Sequence, residues 1–378
     1  MQLSVIILNY NVRFFLEQCV FSVQKALERI DGEIIVIDNN SSDDSCAMMK
    51  EKFPNIKLIE NNENSGFPKG NNIGVAEAKG DYLCILNPDT VVAEDTFIKI
   101  LNSEFCNLNF GIIGCKLIDG TGNFLPEAKR GVPTPWVAFT KIFGLYKIFP
   151  KSTFFNKYYA QHITENQSGK VDILVGAFMM MKRDLYTKIG GFDENCFMYS
   201  DDIDLSYMVL KSGKENYYFN ETSVIHYKGE STVRDGLYMK RFRDAMQFFY
   251  KKHFKKSVIF DLMMQFGAFA FSVIKKNQQK NEKVEIDEYI VFSKNNLSLN
   301  LNKKTTYLTD FNEFKNDLTK NFELIFDANS FSFKEIIAFM EMSKFNNITY
   351  KNYIKSSNYC IGSNNSNDRG EVMQEIIN

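Results

Sequence analysis

The sequence predicts an α/β protein with a Rossmann-like first half and a second, smaller α/β segment near its end. Three observations carry this. Short apolar runs alternate with helix-period segments over the first 90 residues. Four polar clusters each follow one of those runs. The 378 residues are 44% apolar, enough for one large domain and a smaller one.

In order, "LSVIIL" reads as a first strand. Leu16, Cys19, Val20, Val23, Leu27 and Ile30 recur at helical spacing across residues 14 to 30. "EIIVID" is a second strand, followed by the helix "SDDSCAMMKEKF", with Ser42 and Asp43 as capping residues. "IKLIEN" is a third strand, "PKGNNIGVAEAKG" a short helix, and "DYLCIL" a fourth strand. Such alternation predicts a parallel sheet with helices on both faces. Ligands on such sheets bind beyond the carboxyl ends of the strands. "NYN", "DNNSSD", "NNENSGFPKGNN" and "NPD" all fall there. "GIIGCKLI" and "VDILVGAFMMM" read as further strands, with an aromatic, irregular stretch between them, 131–167, that suits a lid or an acceptor-binding insertion. Residues 236–276 read as helical and 277–283 as a polar linker. After them come "EYIVFS", "FELIFDA", the helix "FKEIIAFMEMSKF" and "NYCIGS", with a tail expected to be partly disordered. The expected division is 1–250, a helical segment and linker at 251–283, and 284–378.

The net charge of −1 offers no global field for nucleic acid. Seven cysteines show no CxxC pair, which suits reduced thiols in the cytosol. "MQLSVIILNYN" has no basic start before its apolar run, so it does not read as a signal peptide. Val258–Ile274 is apolar at 13 of 17 positions and is flanked by lysines. It fits either a helix lying against an anionic membrane or a buried helix at a domain joint.

Candidate site residues sit in the polar clusters. Asp38, at a strand end, can accept from a nucleobase N–H, and Asn9 and Asn11 can reach base or ribose. Lys69 and Asn72, in a glycine-punctuated loop, suit a diphosphate or ribose. Asp89, at the tip of the fourth strand, can hold Mg²⁺ or Mn²⁺ against a diphosphate; N-P-D alone is more often a turn. Asp201, Asp202 and Asp204 crowd one helix start. Three carboxylates there repel and raise at least one pKa, which suits a general base; the alternative is a solvated acidic first turn. His226, taken alone, reads as a surface or core histidine.

In this order, NYN, DNNSSD, N-x-G-F-x-K-G-N-N-x-G, LNPDT, G-A-x-M-M-x-x-R, G-G-F-D-E, DDxDL and H-x-x-G-x-S resemble bacterial glycosyltransferase family 2, in its rhamnosyltransferase-like branch. The resemblance covers residues 1 to about 250. It implies a GT-A fold and inverting transfer from a nucleotide-diphosphate sugar, usually with Mg²⁺ or Mn²⁺. By matching position it implies Asp38 on the nucleobase, Asn87 and Asp89 at the DxD-like positions, Asp202 as general base with Asp201 where Glu is usual, and His226 on metal and diphosphate. Asn87 replaces an acid, and Met208 stands where an arginine often follows. The only tryptophan is in "TPW", so the QxxRW motif of processive synthases is absent, which favours transfer of a single sugar.

The resulting expectation is a cytosolic glycosyltransferase, peripheral at the inner membrane face, acting on a saccharide or lipid-linked saccharide in polysaccharide synthesis. The rival is a non-catalytic nucleotide-sugar-binding protein. A sugar nucleotidyltransferase would begin with a glycine-rich basic loop, which "NYNVRFF" lacks.

Overall fold

In the computed structural model the described residues are 1–149, 152, 154–228, 236–254, 285–364 and 370–374. The first unit runs β1 (Leu3–Asn9), α1 (Arg13–Leu27), β2 (Gly32–Asp38), α2 (Ser45–Lys52), β3 (Lys57–Glu60), α3 (Gly66–Ala76), β4 (Tyr82–Leu86), β5 (Thr90–Val91), α4 (Thr96–Leu101) and β6 (Phe110–Ile118). It continues with β7 (Lys129–Arg130), α5 (Pro135–Ile142), α6 (Leu145–Ile148), β8 (Gly169–Val171), β9 (Ile173–Leu174), β10 (Phe178–Lys182), α7 (Arg183–Lys188), α8 (Asp201–Lys211), β11 (Glu215–His226) and α9 (Gly236–His253).

Every residue of β1 is buried, as a strand covered on both faces requires. The sheet order is β3-β2-β1-β4-β10-β6-β11-β5, with β8 pairing on β11. The β3-β2-β1-β4 half is parallel, as expected for a nucleotide-binding half. The whole sheet is mixed rather than parallel, because β10 inserts antiparallel between β4 and β6. "VDILVGAFMMM" is not one strand. It breaks at Val175–Gly176–Ala177, where the backbone leaves the ladder and Gly176 N–H turns to a carboxylate of α8.

The second unit holds β12 (Glu288–Phe292), β13 (Lys304–Leu308), β14 (Phe322–Asp327), α10 (Phe333–Met342), β15 (Ile348–Ile354), β16 (Tyr359–Gly362) and β17 (Glu371–Gln374), in sheet order β13-β12-β14-β15-β16-β17. β17, in the tail expected to be partly disordered, pairs with β16. The two sheets share one apolar cluster: Val12, Phe15, Val91, Ile225 and Tyr227 pack with Phe292, Phe326, Phe333 and Tyr359. Glu94 accepts from the N–H groups of Phe333 and Lys334 at 2.8 and 2.9 Å, satisfying orphan donors at the start of α10. The second unit therefore buttresses the start of α1 and the end of β11, both next to the carboxyl edge of the first sheet.

Among the described residues no helix is long and apolar enough to cross a membrane. Val258–Ile274 and the linker 277–283 lie outside the described residues. Lys252, one of the lysines before that segment, is committed to Asp193 and Asp204 at 2.6 and 2.8 Å.

Candidate functional site

Parallel register sets Asn9 against Asp38 at the ends of β1 and β2. Asn9 Nδ2 donates to Asp38 Oδ1 at 2.7 Å and to Ser41 Oγ at 3.1 Å. Asp38 Oδ2 accepts from Ser41 N at 2.8 Å. Asn11 adopts the left-handed region (φ 56°), and its Oδ1 accepts from Ser42 N at 2.7 Å. Ser42 thus braces the loop after β1 rather than capping a helix, while Asp43 Oδ1 accepts from Ser45 N at the start of α2. Asn39, which the sequence did not single out, is the hub of this corner. Its Oδ1 accepts from Asn61 Nδ2, Ser65 N and Ser65 Oγ, and its Nδ2 donates to Asn64 Oδ1 and Gly66 O. These bonds pin the loop before α3 onto β2. Asn9 Oδ1 stays buried without a partner.

Lys69 faces solvent on α3, paired with Glu63 at 3.4 Å, and does not join this corner. Asn72 is used up as a strut. It accepts from Tyr186 OH at 2.5 Å and from Phe192 N at 3.2 Å, and donates to Phe192 O and Glu194 Oε1 at 2.9 Å each. With both donors and both acceptor directions filled, it has no capacity left for a ligand. Its work is to fasten α3 to the "GGFDE" turn.

The "NPD" turn places Asn87 and Asp89 below β11. Two-residue β5 pairs antiparallel with Ile225–His226, and Tyr227 N donates to Asp89 O at 3.0 Å. That pairing brings His226 Nε2 to 3.5 Å from Asp89 Oδ1 and 3.4 Å from Asn87 Nδ2. His226 Nδ1 is buried with no partner. His226 is therefore a core histidine by burial and also sits on the candidate metal corner. Among the described residues no group of three or more His, Cys, Asp or Glu converges. One carboxylate and one imidazole fit a divalent ion that completes its shell with diphosphate oxygens and water, not an all-protein cage.

The acid turn of α8 divides its three carboxylates. Asp204 pairs with His253 Nε2 at 2.5 Å and Lys252 Nζ at 2.8 Å, so it anchors α9. Asp202 Oδ2 accepts from Arg130 Nη2 at 2.5 Å and from Gly176 N at 3.1 Å, and its Oδ1 accepts from Ile203 N at 2.7 Å. Asp201 is buried and, among the described residues, makes no ion pair of its own, although the Arg130 charge acts on it. Burial, and then the charge of Asp202, push its pKa up to about 7. The expected rise of at least one pKa falls on Asp201, while Asp202 and Asp204 are each met by a basic partner. Arg130, on β7, was not picked out from sequence. It is a single arginine in an irregular stretch, and its partner is 72 residues away.

The "NPD" corner and the acid turn meet at Gly176–Ala177. Asn87 N donates to Ala177 O at 3.1 Å, and the adjacent Gly176 N donates to Asp202. A Cβ at Gly176 would lie 3.4 Å from Asp202 Cβ, 3.6 Å from Phe67 Cζ and 3.7 Å from Asp201 Oδ2. Two surface cavities lie elsewhere. One of about 420 Å³ sits between α4 and β11, lined by Lys99, Phe105, Phe219 and Glu221. One of about 270 Å³ lies beyond the acid turn, between Phe197 and Phe248. Neither contains Asp89, Asp201 or Asp202, so we place the site by its polar geometry.

Residues 4–190 match the family described as Glycosyl transferase family 2. The chain is 25% identical over 244 residues to the N-acetylglucosaminyl-diphospho-decaprenol L-rhamnosyltransferase of Mycobacterium tuberculosis, covering 62% of this chain and 78% of that protein. It is 27% identical over 226 residues to the rhamnosyltransferase WbbL of Escherichia coli K12, covering 54% and 78%. Among solved structures, the mannosyltransferase PcManGT from Pyrobaculum calidifontis with GDP-Man and Mn²⁺ aligns over 74% of this chain and 76% of that one, at 16% identity and a TM-score of 0.48.

Proposed function

We propose that this chain, whose residues 4–190 match the glycosyl transferase family 2 model, is a glycosyltransferase that moves one sugar from a nucleotide-diphosphate donor to a lipid-linked saccharide, with inversion. The observation that carries this is the joint at Gly176–Ala177. It sets a corner suited to a diphosphate beside a corner suited to a hydroxyl, on one sheet edge. The rhamnosyltransferase whose name specifies a diphospho-decaprenol acceptor supports the lipid-linked choice.

In this reading Asp38 and Asn9 face the nucleobase and ribose, with Asn9 Oδ1 as the unused acceptor. Asn11, by contrast, shapes its own loop. Asp89 and His226, with Asn87 beside them, would hold Mg²⁺ or Mn²⁺, and the bound ion would neutralise charge on the departing diphosphate. Arg130 and Gly176 N–H fix the Asp202 carboxylate in one orientation. Asp202 Oδ1, which keeps one acceptor direction open beside its bond from Ile203 N, then takes the proton of the acceptor hydroxyl as that oxygen attacks the anomeric carbon and the diphosphate leaves from the opposite side. Asp201, with its raised proton affinity, sets the pH below which the pair loses a charge.

The test is to offer the purified protein a panel of nucleotide sugars with a prenyl-diphosphate saccharide, and to read nucleoside-diphosphate release and the anomeric configuration of the product by NMR. A single sugar added with inverted configuration is the expected result. Binding without turnover across the panel would support the nucleotide-sugar-binding reading. Repeated addition or retained configuration would overturn the mechanism.

A further inference from the structure

Large exposed apolar side chains are scattered singly on most soluble proteins. Here they are not scattered. Within residues 136–154 lie Trp136 (39% exposed), Phe143 (50%), Ile148 (65%), Phe149 (47%) and Phe154 (58%), five of the twelve such residues on the described surface. They belong to α5, α6 and the loop after them. The patch is built rather than loose. Trp136 packs on Phe139, Phe154 and Phe155 with ring centroids 5.5, 4.7 and 5.9 Å away, and its Nε1 donates to Phe154 O at 3.1 Å. With that N–H satisfied internally, the indole can enter an apolar phase without stranding a donor.

The stretch of chain that carries it has one sign of charge. No Asp or Glu occurs from residue 128 to 164, a stretch with five Lys and one Arg in a chain of net charge −1. Lys129 turns inward onto three carbonyls, and Arg130 is spent on Asp202. Lys147 and Lys157 are exposed, and Lys141 lies over the Tyr158 ring, 3.6 Å from its centroid. Apolar and aromatic side chains rimmed by lysines match an anionic bilayer, where rings enter the interface and ammonium groups meet headgroups. A second copy of the chain would bring like charges together.

We infer that α5, α6 and residues 154–159 form a membrane-docking face for anionic lipid. The strand that enters this face, β7, carries Arg130 against Asp202, and Tyr250 OH of α9 donates to Pro133 O at its base. Docking there would hold the acid turn close to the surface from which a lipid-linked acceptor projects. That last link rests on the proposed function; the docking itself does not.

The chain's single tryptophan lies in this patch, which gives a direct readout. Full-length protein, with neither donor nor acceptor, is mixed with vesicles of phosphatidylcholine alone or with phosphatidylglycerol. With the anionic vesicles, Trp136 emission shifts to the blue and is quenched by brominated acyl chains, and added salt reverses both. The variant carrying Phe143→Ser, Ile148→Ser and Phe149→Ser loses the shift while keeping its circular dichroism and nucleotide binding. The variant carrying Lys141→Gln, Lys147→Gln and Lys157→Gln partitions on the order of 100-fold less, at about fivefold per lysine. Co-sedimentation with unchanged Trp136 emission would place docking elsewhere, as in 251–274, and overturn the inference. So would a concentration-dependent dimer that the apolar variant abolishes, or no binding to either vesicle.

Discussion

The donor corner and the acid turn share one sheet edge but differ in how their polar groups are satisfied. Around Asn9, Asn11, Asp38 and Asn39, amides and hydroxyls bond almost entirely to one another, and Asp38 is held by Asn9 and Ser41. At the start of α8, buried carboxylates adjoin, and Asp201 makes no direct ion pair among the described residues, since Arg130 is engaged by Asp202. The first arrangement surrounds its one carboxylate, Asp38, with neutral donors. The second stores an unfavourable charge, which stability alone would not select. The contrast separates holding the donor from activating the acceptor.

The largest expected effect breaks the acid turn's chemistry. Asp202→Asn keeps the shape and removes the basic site. Turnover should fall about 10²–10⁴-fold, the usual range for general-base catalysis. Single-turnover kinetics at saturating donor checks this, and near-normal turnover would remove Asp202 from the mechanism.

The next concerns stability on the same helical turn. Asp204 anchors α9, so Asp204→Asn takes a carboxylate from Lys252 while its amide oxygen can still accept from His253, and should cost about 2 kcal/mol in urea unfolding. Turnover measured on the protein that remains folded should change much less than in Asp202→Asn.

A third effect has the opposite sign. Between its ordinary value of 3.8 and about 7, Asp201 binds a proton in the folded state that the unfolded chain does not. Its contribution to stability is therefore present at low pH and lost as pH rises through that window, at up to roughly 1.4 kcal/mol per pH unit. Asp201→Asn should remove this slope and leave the protein more stable than wild type above pH 7. Parallel unfolding curves from pH 4 to 8 would show that Asp201 is not the stressed group.

The edge-forming strands were legible because β1, β2 and β4 are apolar runs that end in polar residues, a pattern imposed by burial on both faces. β5 and β7 were not, since two residues carry no period, yet β5 delivers His226 to Asp89 and β7 delivers Arg130 to Asp202. β13 and β15, "KTTYL" and "ITYKNYI", are too polar to stand out locally. β15 buries Lys351 only because Glu323 on β14 pairs with it. The residue types of the site were readable. The division of labour among Asp201, Asp202 and Asp204 was not, because it depends on Arg130, Lys252 and His253, 48 to 72 positions away along the chain.

The separation of the two corners is tested most directly by calorimetric titration of nucleoside diphosphate, with and without Mn²⁺, into wild type, Asp89→Ala and Asp202→Asn. The account predicts that Mn²⁺ tightens binding to wild type and to Asp202→Asn alike. In Asp89→Ala that gain disappears, a loss of about 10–100-fold, the range for a contact to a charged group. Asp202→Asn weakening the nucleotide as much as Asp89→Ala, or Asp89→Ala keeping its Mn²⁺ dependence, would contradict the account.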